Sequence, residues 1–431
     1  MNKEDTVFFK SAWRLLPFIM LLFVVSFLDR VNVGFAALTM NKDLGFTPEI
    51  YGLGAGIFFW GYFLFEVPSN VILARVGARL WICRIMLTWG LVSMATALVS
   101  TPAQFYAVRF ALGLCEAGFF PGMVLYLTFW FPSAIRARFF AMFLMSVPLA
   151  SVIGGPISGA ILSIGDFGGF KDWQWLFLIE GLPSIVLAFA VLAFLPDGPG
   201  KAVWLSDGEK SIVLKRLAAE PKTDHVAFWP MLADVRVWLC ALVYFGLLIA
   251  LYGINFWLPQ MVRGMGYSDF QTGFVVAVPY FISMIGMVLW GWSSDRSRER
   301  VWHVAVAALL AAGGLTVAAL NYGPMISLAA LTVAAVGIYA ALSTFWALPT
   351  SFLGGTAAAG GIALINSISN LGGFVGPTVM GWFKQETGSY ASGMAALSAA
   401  LVVSAIVILM LGRYLSFEAR ARLFDKYAPP T

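Results

Sequence analysis

The chain contains twelve apolar stretches, each long enough to cross a lipid bilayer as an α-helix, which needs about 20 residues. We predict twelve spans, numbered in chain order, at 16–38, 50–74, 80–100, 103–131, 139–164, 174–196, 237–261, 270–293, 301–321, 324–348, 358–383 and 389–412. These stretches do not alternate between apolar and polar residues, as the strands of a membrane β-barrel would. The pattern therefore predicts an all-α membrane protein with twelve transmembrane helices.

Composition supports this fold class. Hydrophobic types make up 60% of the 431 residues and charged types 11%, whereas soluble domains carry roughly 25% charged residues. A soluble fold of this size would expose much of that apolar surface to water. We therefore exclude a soluble enzyme, a nucleic-acid-binding protein and a disordered chain. Two histidines and three cysteines, scattered along the chain, predict no metal site, no other cofactor and no disulfide framework.

Lysine and arginine are distributed unequally between the two sets of loops, and this bias orients a membrane protein. Twenty of the 27 basic residues lie in the termini and in the loops after spans 2, 4, 6 and 8, whereas the other loops contain only Lys42, Lys171, Arg263 and Lys384. We predict that both termini are cytoplasmic and that the membrane is the plasma membrane, the inner membrane of a bacterium. The net charge of +5 then reflects an insertion signal and not a nucleic-acid-binding surface.

One long polar segment divides the spans into two sets of six. We predict an N-terminal six-helix bundle at 1–196, a cytoplasmic linker at 197–236 and a C-terminal six-helix bundle with a cytoplasmic tail at 237–431. The linker contains several prolines, and a short helix is expected at Ser206–Ala219.

Two local patterns recur at one offset, which indicates that the second half repeats the first. Arg75, after span 2, and Arg296, after span 8, are 221 residues apart, as are Gly155 in span 5 and Gly376 in span 11, each followed by proline. Parallel six-helix repeats with a binding site between them are a known design of secondary transporters.

Charged residues inside the spans are concentrated in the first half. Five stand out beyond Arg84, which is near a loop edge, and Glu180 in the outer part of span 6: Asp29 and Arg30 in span 1, Glu66 in span 2, and Arg109 and Glu116 in span 4. A charge at that depth costs several kcal/mol, so it usually has a function. Positions 221 residues after Asp29, Arg30, Arg109 and Glu116 are uncharged, so the first half is expected to hold the ionic chemistry.

Helix geometry predicts how these side chains are directed. Arg109 and Glu116 are seven residues apart, or two turns, and share one face. Asp29 and Arg30 are adjacent and point about 100° apart, so Arg30 could face a cavity while Asp29 faces neighbouring helices. Arginine binds carboxylates through two parallel hydrogen bonds, and a desolvated carboxylate can carry a proton near neutral pH. The combination predicts an anionic substrate that moves with protons.

Each of these charges also has a structural interpretation. Asp29 and Glu116 could join helices as ion pairs, with arginines as their partners. For Glu66, and for Glu180 in the outer part of span 6, a structural role is the expected one; Glu180 would form an interfacial pair or a helix cap.

Uncharged residues could also reach a central cavity. The candidates are Tyr62, Tyr252, Asn255, Trp346, Asn366 and Asn370. Asn366 and Asn370 are one turn apart and share a face. The aromatic candidates could equally face lipid or pack in the core.

Three strings resemble the major facilitator superfamily, in its anion:cation symporter branch. They are LDRVNVG at 28–34, RFALGLCEAGFFPG at 109–122, and EVPSN at 66–70 followed by GARLWI at 77–82. The last is similar to permeases for tartrate, phthalate, nicotinate and hydroxyphenylacetate. The resemblance extends over essentially the whole chain. One departure is Ala74, where the family usually has an acid in the loop after span 2, whereas Asp295 is present in the second copy.

The resemblance implies roles for individual residues. Asp29 and Glu116 would be proton-coupling groups, and Arg30 or Arg109 would bind or position the substrate carboxylate. Tyr62 matches a cavity tyrosine of the family, and Asn370 lies in the polar region of span 11 that contacts substrate.

The predicted substrate-binding residues are Arg30, Arg109, Tyr62, Asn255, Trp346, Asn366 and Asn370. We therefore predict a monomeric, proton-coupled symporter that imports a small organic anion, a tartrate-like or aromatic carboxylate, by alternating access in the lipid bilayer. An efflux carrier of the same fold for drugs or metabolites is the alternative. An enzyme is not expected.

Overall fold

The computed structural model describes the backbone of residues 3–219, 233–353 and 355–427. It contains twelve helical spans that are long and apolar enough to cross a membrane: Glu4–Asp43, Pro48–Val76, Ala78–Leu98, Pro102–Thr128, Arg138–Leu162, Asp172–Phe194, Val235–Arg263, Asp269–Ser297, Val301–Ala319, Pro324–Phe352, Gly360–Thr387 and Ala391–Ser416. Each predicted span has its counterpart, so the all-α fold with twelve spans is confirmed.

Span 1 begins earlier than predicted because the polar N-terminal residues continue its helix. Glu4 and Asp5 lie in the first turn of that helix, where the positive end of the helix dipole favours carboxylates. The polar segment is therefore a helical extension of span 1.

Five spans consist of two helices each. Their bounds are Lys3–Val31 and Val33–Asp43 in span 1, Pro102–Glu116 and Phe119–Thr128 in span 4, Ser133–Leu144 and Ser146–Leu162 in span 5, Pro324–Phe345 and Pro349–Phe352 in span 10, and Gly355–Asn370 and Gly372–Thr387 in span 11.

The other spans contain one α-helix each. These helices are Pro48–Val76, Ala78–Ala95 with a 3₁₀ turn at Thr96–Leu98, Asp172–Phe194, Val235–Arg263, Asp269–Ser297, Val301–Ala319 and Ala391–Tyr427.

The predicted linker begins with a 3₁₀ turn at Pro199–Lys201 and the helix Asp207–Ala218, which confirms the short helix expected there. Ser206 and Glu209 form a capping box at its start, which satisfies two backbone donors of the first turn. Lys10 donates to Glu209 at 2.8 Å, and this hydrogen bond lowers the pKa of the Glu209 carboxyl group. Residues 220–232 of the predicted linker lie outside the described residues.

The chain forms two compact units. The first comprises Met1–Lys222, Asn255–Phe281 and Lys384–Glu386, and the second comprises Thr223–Ile254, Ile282–Phe383 and Thr387–Thr431. In the first unit span 3 packs on spans 4 and 6, and in the second unit span 9 packs on spans 10 and 12. Spans 9, 10 and 12 are the equivalents of spans 3, 4 and 6, so this pattern supports the internal repeat.

Glycines allow spans 2 and 4 to cross at close range. A methyl group on Gly113 would overlap the carbonyl group of Phe58, and one on Gly61 would overlap the carbonyl group of Phe110. Because lipid removes most of the hydrophobic drive for helix association, such backbone contacts are an important source of stability in a membrane. This crossing holds the part of span 4 that carries Arg109 and Glu116 against span 2.

We expect the Gly113→Ala variant to unfold at a lower temperature than the wild type, with a loss of about 1–3 kcal/mol, because the added methyl group forces the two helices apart. Thermal unfolding in detergent, followed by intrinsic fluorescence, measures this change. The matched control is Gly313→Ala, another helical glycine whose added methyl group would meet nothing within 4 Å. Equal melting temperatures for the two variants would contradict the packing argument.

Candidate functional site

A buried ion pair joins span 1 to span 4. Arg30 donates to Oε1 of Glu116 from Nη2 and, at 3.1 Å, from Nε, and the Ser26 hydroxyl donates to the same oxygen at 2.9 Å. The side chain of Arg30 is 8% exposed and that of Glu116 is 0% exposed. Among the described residues, Oε2 of Glu116 has no hydrogen-bond partner. One carboxylate oxygen of Glu116 therefore accepts from three donor atoms, and the other accepts from none of the described residues.

Aromatic rings surround the Arg30 guanidinium. Its Cζ atom lies 5.2 Å from the ring centroids of Phe58 and Tyr62 and 5.9 Å from that of Phe27. Cation–π attraction contributes about 0.5–2 kcal/mol and is largest where water is excluded. Tyr62, the predicted cavity tyrosine, thus lies beside the predicted substrate-binding arginine.

Arg109 is fully buried and interacts with the backbone. Its guanidinium donates to the carbonyl groups of Arg30, Gly54 and Ala55, each at 3.4 Å. It forms no ion pair with any described residue, and its Nη1 has no hydrogen-bond partner there. Because it bonds the Arg30 carbonyl, Arg109 can position the main chain that carries the ion pair.

Asp29 points away from Arg30, toward spans 3 and 6. It accepts hydrogen bonds from Trp89 Nε1 and Ser93 Oγ, each at 2.9 Å, and from Ser184 Oγ at 2.5 Å. The side chain is fully buried. Asp29 therefore faces neighbouring helices, which is the arrangement given for it in the sequence analysis. The two acids therefore have different surroundings: Glu116 has a cation and Asp29 has neutral donors.

Both helices that carry these charges are interrupted beside them. The span 1 helix ends at Val31, next to Arg30, and the span 4 helix ends at Glu116 itself. Gly118 then adopts the left-handed conformation, with φ of 86°, which glycine tolerates without strain. Interrupted helices of this kind frame the binding sites of many secondary transporters.

The first unit also contains a small pocket beside span 1, where Leu28, Val31 and Asn32 contribute to its lining. Its polar lining residues are Asn32, Ser151, Ser158, Asn255 and Tyr280, and we call it the Asn32 pocket. Tyr280 donates to Oδ1 of Asn255 at 2.5 Å, whereas Nδ2 of Asn255 has no partner among the described residues.

Sequence comparison identifies the family. The profile described as Major Facilitator Superfamily matches residues 19–377, which is most of the chain. The chain belongs to the major facilitator superfamily. It is therefore a multi-pass membrane transporter and not an enzyme.

Relatives within this superfamily match over nearly the full length. The chain is 52% identical over 414 residues to a protein named "Putative tartrate transporter" from Agrobacterium vitis. The aligned region covers 95% of each chain. It is 40% identical over 428 residues to the "Quinolone resistance transporter" of Acinetobacter baumannii, which covers 98% of this chain and 97% of the relative.

A solved structure supports the fold. The D-xylose-proton symporter superposes with a TM-score of 0.74, over 92% of this chain and 97% of the other, at 12% identity. At that identity the likeness concerns the major facilitator fold alone.

The remaining predicted residues belong to the second unit. The Trp346 ring packs against Tyr244, with ring centroids 4.9 Å apart. Asn366 and Asn370 are both buried. The structure thus brings Arg30, Tyr62, Arg109 and Glu116 together, and it places Asp29 beside them on another face of span 1.

Sequence reasoning missed several partners of these charges. Ser26, Trp89 and Ser184 give no signal in the sequence, because serine and tryptophan are common in membrane helices.

Glu180 did give a signal, as an acid within a span, but the expected interfacial pair or helix cap is wrong. Glu180 is buried, with 5% exposure, forms no ion pair among the described residues, and accepts a hydrogen bond from Ser158 at 2.7 Å.

We expect strong energetic coupling between Arg30 and Glu116. The Arg30→Met variant should lose about 3–5 kcal/mol of unfolding free energy, because it leaves a buried carboxylate without its cation. The double variant Arg30→Met/Glu116→Gln should recover part of this loss, as measured by thermal unfolding in detergent.

The control for this double-mutant cycle is the surface pair of Lys210 and Asp207, 3.3 Å apart with Asp207 fully exposed. Its cycle, with Lys210→Met and Asp207→Asn, should yield a coupling below about 1 kcal/mol. A coupling for the buried pair no larger than that of the surface pair would contradict the assignment.

Proposed function

We propose that the chain is a proton-coupled symporter that imports a small organic anion, a carboxylate, by alternating access. The observation that supports it is the buried pair of Arg30 and Glu116, in which a cation at membrane depth is neutralised by an exchangeable acid. A substrate carboxylate offers the guanidinium the same chemistry that Glu116 offers. Protein acid and substrate therefore compete for one arginine.

This competition couples the proton to the substrate. When Glu116 binds a proton, its negative charge is removed and Arg30 needs another anion, since an unpaired charge at this depth is costly. A substrate carboxylate supplies that anion and takes the two parallel N–H groups of the guanidinium. When Glu116 later releases its proton to the cytoplasm, it regains Arg30 and displaces the substrate. Proton and substrate thus cross in the same direction.

The other predicted residues have defined parts in this scheme. Asp29 is the second proton-coupling group, because Ser93 and Ser184 can each donate to its ionised form or accept from its protonated form. Arg109 positions Arg30, while Tyr62 shields the bound carboxylate from water. Asn255, Trp346, Asn366 and Asn370, on spans 7, 10 and 11, are further proposed substrate-binding residues.

The transport cycle uses the two six-helix halves at 1–196 and 237–431 as moving parts, joined by the linker at 197–236. The distribution of basic residues supports the proposal that both termini are cytoplasmic and that the protein is in the plasma membrane, the inner membrane of a bacterium. It works there as a monomer.

The direct test is uptake into proteoliposomes with an acidic exterior and a neutral interior. Radiolabelled L-tartrate is the first probe, and the name of the 52% identical relative favours it; benzoate-type acids form the second group. We expect accumulation above equilibrium that a protonophore abolishes. If no organic anion accumulates in response to the gradient, the proposal is wrong.

The second candidate is an efflux carrier of the same fold, which the name of the quinolone resistance relative favours. It predicts that a labelled fluoroquinolone accumulates in the same proteoliposomes when their interior is acidic, by exchange against protons. Symport of a carboxylate predicts no such accumulation, so the two experiments separate the candidates.

We expect Glu116→Gln to lose proton-driven uptake, by at least about tenfold, and to retain exchange of internal for external substrate. Glutamine keeps the shape of protonated Glu116 but cannot release a proton. Uptake and counterflow are measured side by side, with Glu386→Gln, an exposed acid at the end of span 11, as the control. Undiminished proton-driven uptake in Glu116→Gln would remove this residue from the mechanism.

We expect Arg30→Lys to weaken substrate binding by at least about tenfold, or about 1.4 kcal/mol. A lysine ammonium keeps the charge but lacks the planar fork that binds both carboxylate oxygens. The measurement is the substrate concentration that half-saturates uptake, supported by ligand-induced thermal stabilisation. Arg413→Lys, at an exposed site, is the control, and wild-type affinity in Arg30→Lys would contradict the role.

A further inference from the structure

Glu180 is a buried acid that the proposed mechanism does not use. It lies on span 6, in the helix Asp172–Phe194. One carboxylate oxygen, Oε1, accepts from Ser158 of span 5 at 2.7 Å, and the other, Oε2, has no hydrogen-bond partner among the described residues. An acid at this depth without a nearby cation is costly as an anion, so Glu180 is suited to holding a proton.

Ser158 connects Glu180 to the Asn32 pocket. The serine lines that pocket together with Asn32. Both polar atoms of the Asn32 side chain are buried and have no partner within hydrogen-bond distance in the described part of the chain, although the Asn32 side chain is near enough to the Glu180 carboxyl group to interact with it. Unpaired buried polar atoms around a cavity are the groups that ordered water satisfies. The pocket therefore has the lining of a small water site next to the acid.

Ser184, in the same helix as Glu180, is hydrogen-bonded to Asp29. Glu180 and Ser184 are four residues apart in one helix and so lie on the same face. The Ser184 hydroxyl donates to Oδ2 of Asp29 at 2.5 Å and accepts from Trp89 at 2.9 Å. Asp29 is close enough for its negative charge to act on Glu180. Ser184 thus bonds Asp29 and lies one helical turn from Glu180, and neither acid forms an ion pair with a described residue.

We propose that Glu180 is a third proton-carrying residue, which passes protons between the Asn32 pocket and Asp29. This inference rests on the proposed function. In the transfer step, the Glu180 carboxyl group rotates to bring Oε2 to the Ser184 oxygen, the Glu180 proton moves to that oxygen, and the Ser184 proton moves to Oδ2 of Asp29. Serine stays neutral, Glu180 becomes the anion, and Asp29 becomes the neutral acid. A water-borne proton from the pocket then restores Glu180.

The arrangement explains why two acids are kept near each other without a cation. Simultaneous ionisation would place two negative charges in a low-dielectric region, so the pair favours a single shared charge. A proton that moves from one carboxyl group of the pair to the other leaves the number of buried ions unchanged. Glu116 lies outside this relay because its charge is neutralised by Arg30.

The test compares Glu180→Gln with Glu180→Asp in proteoliposomes, using labelled L-tartrate or whichever carboxylate the wild type accumulates. Glutamine retains the hydrogen bond to Ser158 but carries no exchangeable proton. We expect Glu180→Gln to lose at least about tenfold of acid-driven accumulation while counterflow exchange and the melting temperature stay near wild type. Glu180→Asp keeps the acid and should restore part of the accumulation. Glu386→Gln remains the control.

A second readout measures protons directly. A pH-sensitive dye in weakly buffered detergent solution reports the protons taken up when the carboxylate is added to the purified protein. We expect the pH dependence of this uptake to differ between Glu180→Gln and the wild type, and to resemble the wild type in the control.

The outcomes separate the two proposals. If the wild type accumulates a carboxylate and Glu180→Gln does so equally, with an unchanged pH dependence, the relay is wrong and the symporter stands. If Glu180→Gln loses counterflow and melting temperature together with accumulation, Glu180 is a structural residue and the relay is again wrong. If the wild type accumulates no carboxylate, both proposals fall.

Discussion

The ion pair between Arg30 and Glu116 is the interaction around which the first unit is organised. Removing two charges from water costs several kcal/mol for each ion, and only close geometry with further hydrogen bonds offsets that cost. Here Ser26 adds a donor to Glu116, and aromatic rings flank the guanidinium. The pair also fixes spans 1 and 4 where both helices are interrupted. A change of charge at one partner therefore affects the packing of both spans.

The acids of the first unit differ in what stabilises their ionised form. Glu116 is paired with a cation, Arg30. Asp29 accepts from three neutral donors, two of which are serine hydroxyls that can also accept a hydrogen bond. In the proposed mechanism the acids therefore have different roles. Glu116 couples a proton to the substrate, whereas Asp29 and Glu180 exchange protons without involving Arg30.

The sequence predicted the architecture well because span length and loop charge are set by the bilayer itself. It also placed Asp29 and Arg30 on different faces of span 1, since adjacent helical residues diverge by about 100°. It could not identify Trp89 and Ser184 as partners of Asp29, because contacts between distant spans leave no periodic pattern. Glu180 was misjudged for a related reason. It lies eight residues inside the helix that starts at Asp172, or about 12 Å from its end, too deep for an interfacial residue.

The packing of the second unit explains why only one half carries the charges. Glu116 corresponds to Gly337 at the repeat offset of 221 residues. A methyl group on Gly337 would overlap the carbonyl group of Ala307 in span 9, so no acid fits at this position without separating spans 9 and 10. Arg30 corresponds to Leu251, which is buried, and a cation at that position would have no acid at position 337 to pair with. The two halves therefore share a scaffold, but close helix packing in the second excludes the ion pair that the first is built around.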